Sequence, residues 1–354
     1  MTQSDAGRRA SVDALDPADA VRPADASRAA ADPPAPRGTM RFAMACGPAD
    51  EAWLEEYWRG FAEPGLERLI DATLRHGYAM SAAALDLRRH AENGRDSCDD
   101  RRDWFALAGF YAVRVREIAD TARMWFCAAG LHERLGLIES ALSEIFAERS
   151  GARIAARVSV ADLHARRLRL QARLESLWIA LAQRSGLPVD HVRAALAQRE
   201  LPAGCPALPG AGTPEALLRR RPDLLAQRHR GTADDAPAEL DARRLDDERA
   251  CACACAQVET AFVVLRGLCA EWSPINAAAS AADAQACRAR AAHHERDPRR
   301  ADADGEDALG RAERQRLACR DREIEIRGAA YLALVDLLEA LGGGWPANMS
   351  LEDA

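Results

Sequence analysis

Apolar residues recur at helical spacing over long stretches of this chain, and that periodicity limits the folds open to it. One stripe, with members three, four or seven positions apart, consists of Val160, Leu163, Leu170, Leu174, Leu177 and Leu181. A second stripe consists of Met124, Leu131, Leu135, Ile138, Leu142 and Ile145. Such spacing places apolar side chains on one side of an α-helix. Because Ser150-Gly151 breaks the chain between the stripes, we predict an antiparallel pair of packed helices.

Composition supports the same class of fold. The 354 residues are 48% hydrophobic, much of it alanine, and only 5% aromatic, which favours long helices over sheets. We therefore predict a mainly α-helical fold of long antiparallel coiled helices. The net charge of −7 is spread along the chain, so nucleic acid is not an expected partner. The longest apolar run, residues 104–113, falls short of the ~18 residues of a membrane helix, and we predict no such span.

Two short helices are predicted around residues 213–227. Thr213 is a suitable N-cap, Pro214 suits the first helical position and Glu215 the first turn. Pro222 pushes Arg221 out of the helical region. We expect Asp223 to cap a second helix that begins at Leu224.

This stretch resembles the segment joining the two halves of outer membrane factors of the TolC/OprM (NodT) type, where a Gly/Pro-rich linker leads into a GLPSxLLxxRPD motif. The matching residues are Gly212, Pro214, Leu217, Leu218, Arg221, Pro222 and Asp223. A second stretch resembles the GGGW ending of that family, and its matching residues are Leu341, Gly342, Gly343, Gly344 and Trp345. With weaker matches in the helical stretches, the resemblance spans roughly residues 50–345.

The resemblance implies a function and an organisation. Outer membrane factors are passive conduits of tripartite export systems, so it implies a homotrimer, a periplasmic adaptor and a resistance-nodulation-division (RND) pump as partners. It implies an outer-membrane or periplasmic location, no enzymatic activity and no cofactor. The expected organisation is a disordered Ala/Pro/Asp-rich N-terminus (1–48), a first helical half (49–200), a linker (201–230) and a second helical half (231–354). Within the last, residues 272–304 have lost the apolar periodicity and are expected to be poorly structured.

The sequence departs from that family in one respect. Family members carry membrane strands between the first and second long helices of each half. The corresponding stretches here are residues 88–109 and 226–257, which are polar in large part and lack the ~10-residue alternation of a membrane strand. We therefore expect this chain alone to form no pore. Two interpretations stay open: a component of an export system, and a soluble scaffold or degenerate, non-transporting relative.

The N-terminal stretch bears on location. No apolar stretch of ~7–15 residues follows a basic start, so no secretory signal is predicted, and a cytoplasmic soluble protein is the alternative location. Cys46, followed by Gly47-Pro48, resembles the lipidated cysteine of the family. The hydrophobic region of a lipoprotein signal is missing before it, so a coil cysteine without a lipid is the competing interpretation.

Candidate residues for chemistry are few. Cys251, Cys253 and Cys255 alternate along a predicted helix, where neighbours two apart point to different faces, so a metal site is not favoured. The adjacent His293 and His294 diverge in the same way. His132 and His164 are expected to be solvated, and Asp162 is expected to cap a helix. No phosphate loop or nucleophile motif is present, and we assign no catalytic, cofactor or metal residue.

Overall fold

The computed structural model describes residues 51–93, 100–147, 160–197, 199–228, 237–294 and 303–344, all within one compact unit, Pro36–Ala354. Every regular element in these ranges is helical, so the mainly α-helical class is confirmed. The elements are α1 (Glu51–Glu55), a 3₁₀ helix (Tyr57–Phe61), α2 (Pro64–His76), α3 (Tyr78–Asn93), α4 (Asp100–Ala147), α5 (Val160–Ser185), α6 (Val189–Leu196), α7 (Pro214–Arg220), α8 (Pro222–Arg228), α9 (Pro237–His294) and α10 (Ala303–Ala340).

The four longest helices form two antiparallel hairpins, α4 with α5 and α9 with α10. In the first, Arg184 near the end of α5 forms a salt bridge of 2.7 Å with Glu117 in the first half of α4. In the second, Arg290 near the end of α9 pairs at 2.6 Å with Glu313 near the start of α10. The predicted antiparallel packing is therefore confirmed.

The leucine stripe of α5 is buried as predicted, but in a different register. Leu170, Leu174 and Leu181 are at most 5% exposed. The stripe was expected to lie on the second half of α4, around residues 131–145. Arg184 instead pairs with Asp120 at 3.2 Å, which places the stripe's C-terminal end on the first half of α4. The difference follows from the antiparallel hairpin, in which the last turns of α5 lie far from the end of α4 at Ala147 and so pack on its first half.

The two hairpins join along α4 and α10, so the long helices follow one another in the order α5, α4, α10, α9. Phe126 of α4 stacks on Tyr331 of α10 with ring centroids 5.0 Å apart. The short helices α2, α3 and α8 pack on α4, and α6 packs on α5. The helices α5 and α9 therefore form the two edges of the long-helix layer.

Residues 272–294 are helical, where the sequence favoured a poorly structured stretch. Helix α9 continues through Pro274 to His294. Ala279, Ala282 and Ala286 are at most 3% exposed and lie three and four positions apart, so alanine forms the packing stripe here. Because alanine is small and has the highest helix propensity, α9 stays helical and packs closely without large apolar residues.

The end of α10 is deeply buried, as the run of apolar residues there predicts. Ala330, Val335, Leu337, Leu338 and Leu341 are all fully buried. Burial of one leucine or valine side chain contributes about 1.5–3 kcal/mol of transfer free energy. This segment therefore anchors the second hairpin to the rest of the unit.

Helix α9 also has the composition of a membrane span. Within Ala238–His293, one 18-residue window has a mean hydropathy of 1.4 and no more than two charged residues. The prediction of no span was based on uninterrupted apolar runs. Such runs do not reveal this window, because charged residues divide it. A third of the window is buried inside the protein.

Candidate functional site

The helix pair of the linker begins as the sequence predicts. The Thr213 hydroxyl accepts a hydrogen bond from the Ala216 N–H at 3.3 Å, and Pro214 opens α7. At the other end Arg221 has an extended backbone, φ −92° and ψ 113°. This is the conformation that a following proline imposes, so the kink at Pro222 is confirmed.

The role predicted for Asp223 is wrong. Helix α8 begins at Pro222, one residue before Asp223, because the fixed φ of proline already suits a first helical position. Asp223 therefore lies in the first turn rather than at the cap. Its carboxylate accepts two hydrogen bonds from the Arg221 guanidinium, at 3.0 and 2.7 Å.

Arg221 connects the linker to the second hairpin. Its Nη1 donates to Oε1 of Gln257 on α9 at 2.6 Å and to the carbonyl of Ala340, the last residue of α10, at 3.5 Å. The planar fork of an arginine can hold a carboxylate and further acceptors at once. The pairing with Asp223 thus orients the guanidinium towards both helices.

The glycine run meets the linker at the same place. Gly342 has φ +76°, and a Cβ built there would lie 2.6 Å from the Arg220 carbonyl oxygen. Both the left-handed backbone and the lack of space require glycine. The two stretches that resemble outer membrane factors, far apart in sequence, therefore touch through their backbones.

The next glycines continue the contact towards the N-terminal segment and α4. The Gly344 N–H donates to the Leu54 carbonyl at 2.9 Å, and the Gly344 carbonyl accepts from Nε of Arg114 at 2.9 Å. A Cβ at Gly343 would lie 3.1 Å from the Leu54 carbonyl oxygen. The turn that follows α10 therefore contacts the N-terminal segment, the linker and α4.

We call residues 220–223 together with 341–344 the motif junction. Leu341 in the junction and Leu217 in α7 are both fully buried. Gly212, with φ +72°, turns the chain into α7. The side chain of Leu218 and all of Trp345 and Cys46 lie outside the described residues. The sequence did not single out Leu54, Arg114 or Gln257, because the only signal for their roles is a contact with a distant segment.

A line of ion pairs runs from the motif junction along the contact of α4 with α10. Arg123 pairs with Asp336 at 2.7 Å and also with Glu339. Burial lowers the pKa of Arg123, but the hydrogen bonds to Glu339 and Asp336 outweigh it, so the pKa is raised. Farther along, Arg134 donates to both oxygens of Asp321, at 2.7 and 3.0 Å.

Two cavities flank this contact. One, of about 670 Å³, lies between α4, α9, α10 and the linker and is lined in part by His132, Glu133, Trp272 and Arg320. The other, of about 620 Å³, lies between α4, α5 and α10 and is mainly apolar. Neither holds an arrangement of nucleophile, base and oriented partner of the kind that catalysis requires.

The residues considered for metal binding do not converge. Cys251 and Cys255 are buried while Cys253 is exposed, as expected for neighbours two apart on a helix. His293 is half-buried at the end of α9, and the side chain of His294 lies outside the described residues. Asp162 lies in the first turn of α5 rather than at its cap, because α5 already begins at Val160. Across the described ranges, no group of three or more metal-binding side chains comes together.

Comparison with solved structures identifies the fold. The chain superposes on the outer-membrane channel OprN with a TM-score of 0.70 at 19% identity, covering 86% of this chain and 96% of that one. It is similar to the CmeC outer membrane channel of Campylobacter jejuni, with a TM-score of 0.67 at 11% identity over 87% and 91% of the two chains. For the MtrE outer membrane channel of Neisseria gonorrhoeae, the TM-score is 0.63 at 17% identity over 80% and 90%.

No protein-family model matches the chain, and neither does any curated protein sequence. The resemblance to outer membrane factors, drawn from the linker and the glycine run, is nevertheless confirmed as a shared fold. At these identities the likeness defines the architecture of the chain.

Proposed function

We propose that this chain is the outer-membrane-factor-like component of a tripartite export system of the RND type, in which it forms part of a passive conduit. The observation that carries the proposal is the fold shared with OprN over 86% of the chain. The motif junction supports it, since both stretches that resemble the family build one structural unit. The proposed partners are further copies of this chain, a periplasmic adaptor and an RND pump, at the outer membrane or in the periplasm.

The edges of the long-helix layer support self-assembly. Leu168 and Ile179 on α5 are 60% and 59% exposed, and they lie on one side of that helix, since 11 positions are close to three full turns. On the opposite edge, the exposed large apolar residues of α9 are Leu240, Leu245, Val263 and Val264. We take these exposed apolar side chains as the contacts that the proposed assembly would bury.

The two edges differ, so their pairing would be head-to-tail. An interface between different surfaces generates a closed ring when the rotation between copies closes. A ring of three chains would place α9 of each copy against α5 of the next and enclose a central space. This arrangement gives the proposed homotrimer and its conduit.

The assembly can be tested with the purified full chain by size-exclusion chromatography with light scattering. We expect a mass three times the 38.4 kDa of one chain. The double variant Leu168→Asp/Ile179→Asp should elute as a single chain. Leu85→Asp, at an exposed position of α3, which packs on α4 rather than on an edge helix, is the matched control and should remain a trimer. A wild-type chain that stays monomeric, or an edge variant that stays trimeric, contradicts the ring.

The role in export needs a separate experiment. A C-terminally tagged chain should fractionate with the outer membrane or periplasm and be crosslinked to a periplasmic adaptor produced in the same cells. The edge variant should lose this crosslink if the adaptor recognises the assembled ring. A tagged chain found only in the cytosol, with no adaptor crosslink, would instead support the soluble helical scaffold.

A further inference from the structure

The linker segment before the motif junction, residues 201–206, is held against both hairpins. The Leu201 N–H donates to Oε2 of Glu133 on α4 at 3.3 Å. Arg327 of α10 reaches the carbonyls of Leu201 and Pro202, each at 3.5 Å from Nη1. Because several fixed groups bind this short stretch, its backbone has a defined position over α9 and α10.

That position brings two cysteines together. The Cys269 thiol of α9 donates to the Pro206 carbonyl with a sulfur–oxygen distance of 3.7 Å, and Pro206 directly follows Cys205. The Cys269 side chain is also close enough to Cys205 to raise the pKa of the Cys205 thiol. Both thiols are free, half-buried and packed against the hydrophobic core. A crosslink requires two cysteines that lie close together, and here one is held on the linker and the other faces the next residue of that linker from a long helix.

We propose that Cys205 and Cys269 form a disulfide when the chain meets a disulfide oxidant, and that this bond ties the linker to the second hairpin. In the first step the thiolate of one cysteine attacks the oxidant's disulfide, giving a mixed disulfide and releasing one thiol. The second cysteine then displaces the other thiol. The pair loses two protons and two electrons, and the oxidant R–S–S–R becomes two R–SH.

The surroundings of the pair control how fast the reaction proceeds. Burial, followed by the hydrogen bond with Cys269, raises the pKa of Cys205 to about 12, while Arg327 acts in the opposite direction. Glu323 and Tyr331, also on α10, face the same site. Since the thiolate is the attacking species, the uncatalysed crosslink should form slowly at neutral pH and faster as pH rises.

The bond would act on the architecture described above. The segment around Cys205 leads through Gly212 into α7 and the motif junction, whereas Cys269 lies in the middle of α9. A disulfide between them closes the chain across the entire linker and restricts its unfolded ensemble. The crosslink would therefore secure the linker independently of the Arg221 contacts, in any compartment where disulfide exchange takes place.

The experiment uses the purified full chain with glutathione disulfide as the oxidant, followed by alkylation of free thiols, trypsin digestion and mass spectrometry. Cys287 lies in the same arginine-bounded peptide as Cys269, so Cys287→Ser, at an exposed site of α9, is the working background. We expect a peptide pair joined through Cys205 and Cys269, lighter by about two daltons than the sum of the two thiol peptides. Its rate of formation should rise by up to about tenfold per pH unit above neutrality.

Adding Cys205→Ser or Cys269→Ser should abolish the joined peptide and leave the partner cysteine alkylated, with an unchanged far-UV circular dichroism spectrum. Adding Cys319→Ser, which alters a half-buried cysteine of α10, should leave the joined peptide intact. Alkylation of both Cys205 and Cys269 after oxidation, or a separate glutathione adduct on each, would overturn the proposal.

Discussion

Helix α4 meets its two long neighbours through different chemistry. Towards α5 it packs against a stripe of buried leucines, Leu170, Leu174 and Leu181. Towards α10 the apolar contact of Phe126 with Tyr331 is flanked by ion pairs, of which the pairing of Arg134 with Asp321 at 2.7 Å is an example. The contact with α5 has ion pairs at one end, where Arg184 binds Glu117 and Asp120, whereas ion pairs recur along the contact with α10.

The difference has a physical consequence for specificity. Apolar stripes are less selective about their partners, because apolar side chains of similar volume can replace one another at little cost. Ion pairs with bidentate geometry accept one partner in one position. We infer that the ion pairs between α4 and α10 fix how the two hairpins are aligned.

The largest expected loss of stability comes from a charge in the leucine stripe of α5. Leu174 is 3% exposed, and Leu174→Asp would bury a carboxylate that has no designed partner. The expected loss is about 4 kcal/mol or more in the free energy of unfolding, measured by urea denaturation. Leu85→Asp, the same change at a site 48% exposed, should cost less than about 1 kcal/mol. Equal urea midpoints for the two variants would contradict the packing of the leucine stripe against α4.

A smaller but sharp effect is expected at the motif junction, where the contact with α10 ends. Gly342→Ala adds a methyl group 2.6 Å from the Arg220 carbonyl oxygen at a residue with φ +76°. We expect a loss of about 2–4 kcal/mol from strain and displaced backbone. Gly136→Ala is the control: it lies within α4 with open space around it, and there alanine should stabilise by about 0.5–1 kcal/mol. The opposite signs of the two changes can be read from urea midpoints.

The two contacts of α4 also differ in how far the sequence could predict them. Stripes of large apolar residues, such as that containing Leu174, reveal both the helix and its buried face, because the period of the pattern is local. Ion pairs such as that of Arg134 with Asp321 leave no such mark, since 187 positions separate the partners and charged residues are common throughout the chain. The alanine stripe containing Ala282 was missed because alanine also occurs on exposed faces.

For the motif junction, prediction succeeded locally and failed over distance. The Thr213 cap and the kink before Pro222 follow from neighbouring residues alone. The contact of Gly342 with Arg220 depends on how α10 returns past the linker, which no local pattern encodes. The approach of Cys205 to Cys269 was hidden for the same reason.

The ion pairs between α4 and α10 can be tested at Asp321. Its carboxylate pairs with Arg134 and Arg166. Asp321→Asn keeps the shape but removes the charge that both arginines share. Since the Asp321 side chain is only 15% exposed, we expect a loss of about 1–3 kcal/mol. Glu325→Gln affects an exposed pair with Arg322 on the same helix and should change stability by less than about 0.5 kcal/mol. A similar, small effect of both changes would indicate that solvent screens the contact with α10.

The smallest effect is a pH dependence that separates Glu133, which pairs with Arg327 across the contact of α4 with α10, from Glu313, which pairs within the second hairpin. At Glu313, burial raises the pKa, but hydrogen bonds from Arg290 and Arg316 outweigh it and hold the pKa below its ordinary value of 4.5. At Glu133, burial outweighs the attraction of Arg327, so the pKa is raised. A carboxylate with a lowered folded pKa stabilises the protein above its unfolded pKa and loses that contribution as pH falls through the folded value. A raised pKa has the opposite sign, with a contribution that is lost as pH rises through the folded value.

Urea midpoints measured from about pH 3 to pH 7 can therefore distinguish the two groups. Glu313→Gln should flatten the loss of stability on the acid side, below pH 4.5, by roughly 0.5–1 kcal/mol, a value reduced for solvent screening. Glu133→Gln should instead steepen that loss, because it removes a group whose protonation favours the folded state. Parallel profiles for wild type and both variants would mean that these pairs are screened as at an open surface. Profiles that diverge in opposite directions would support the inference that buried charge matching aligns the two hairpins.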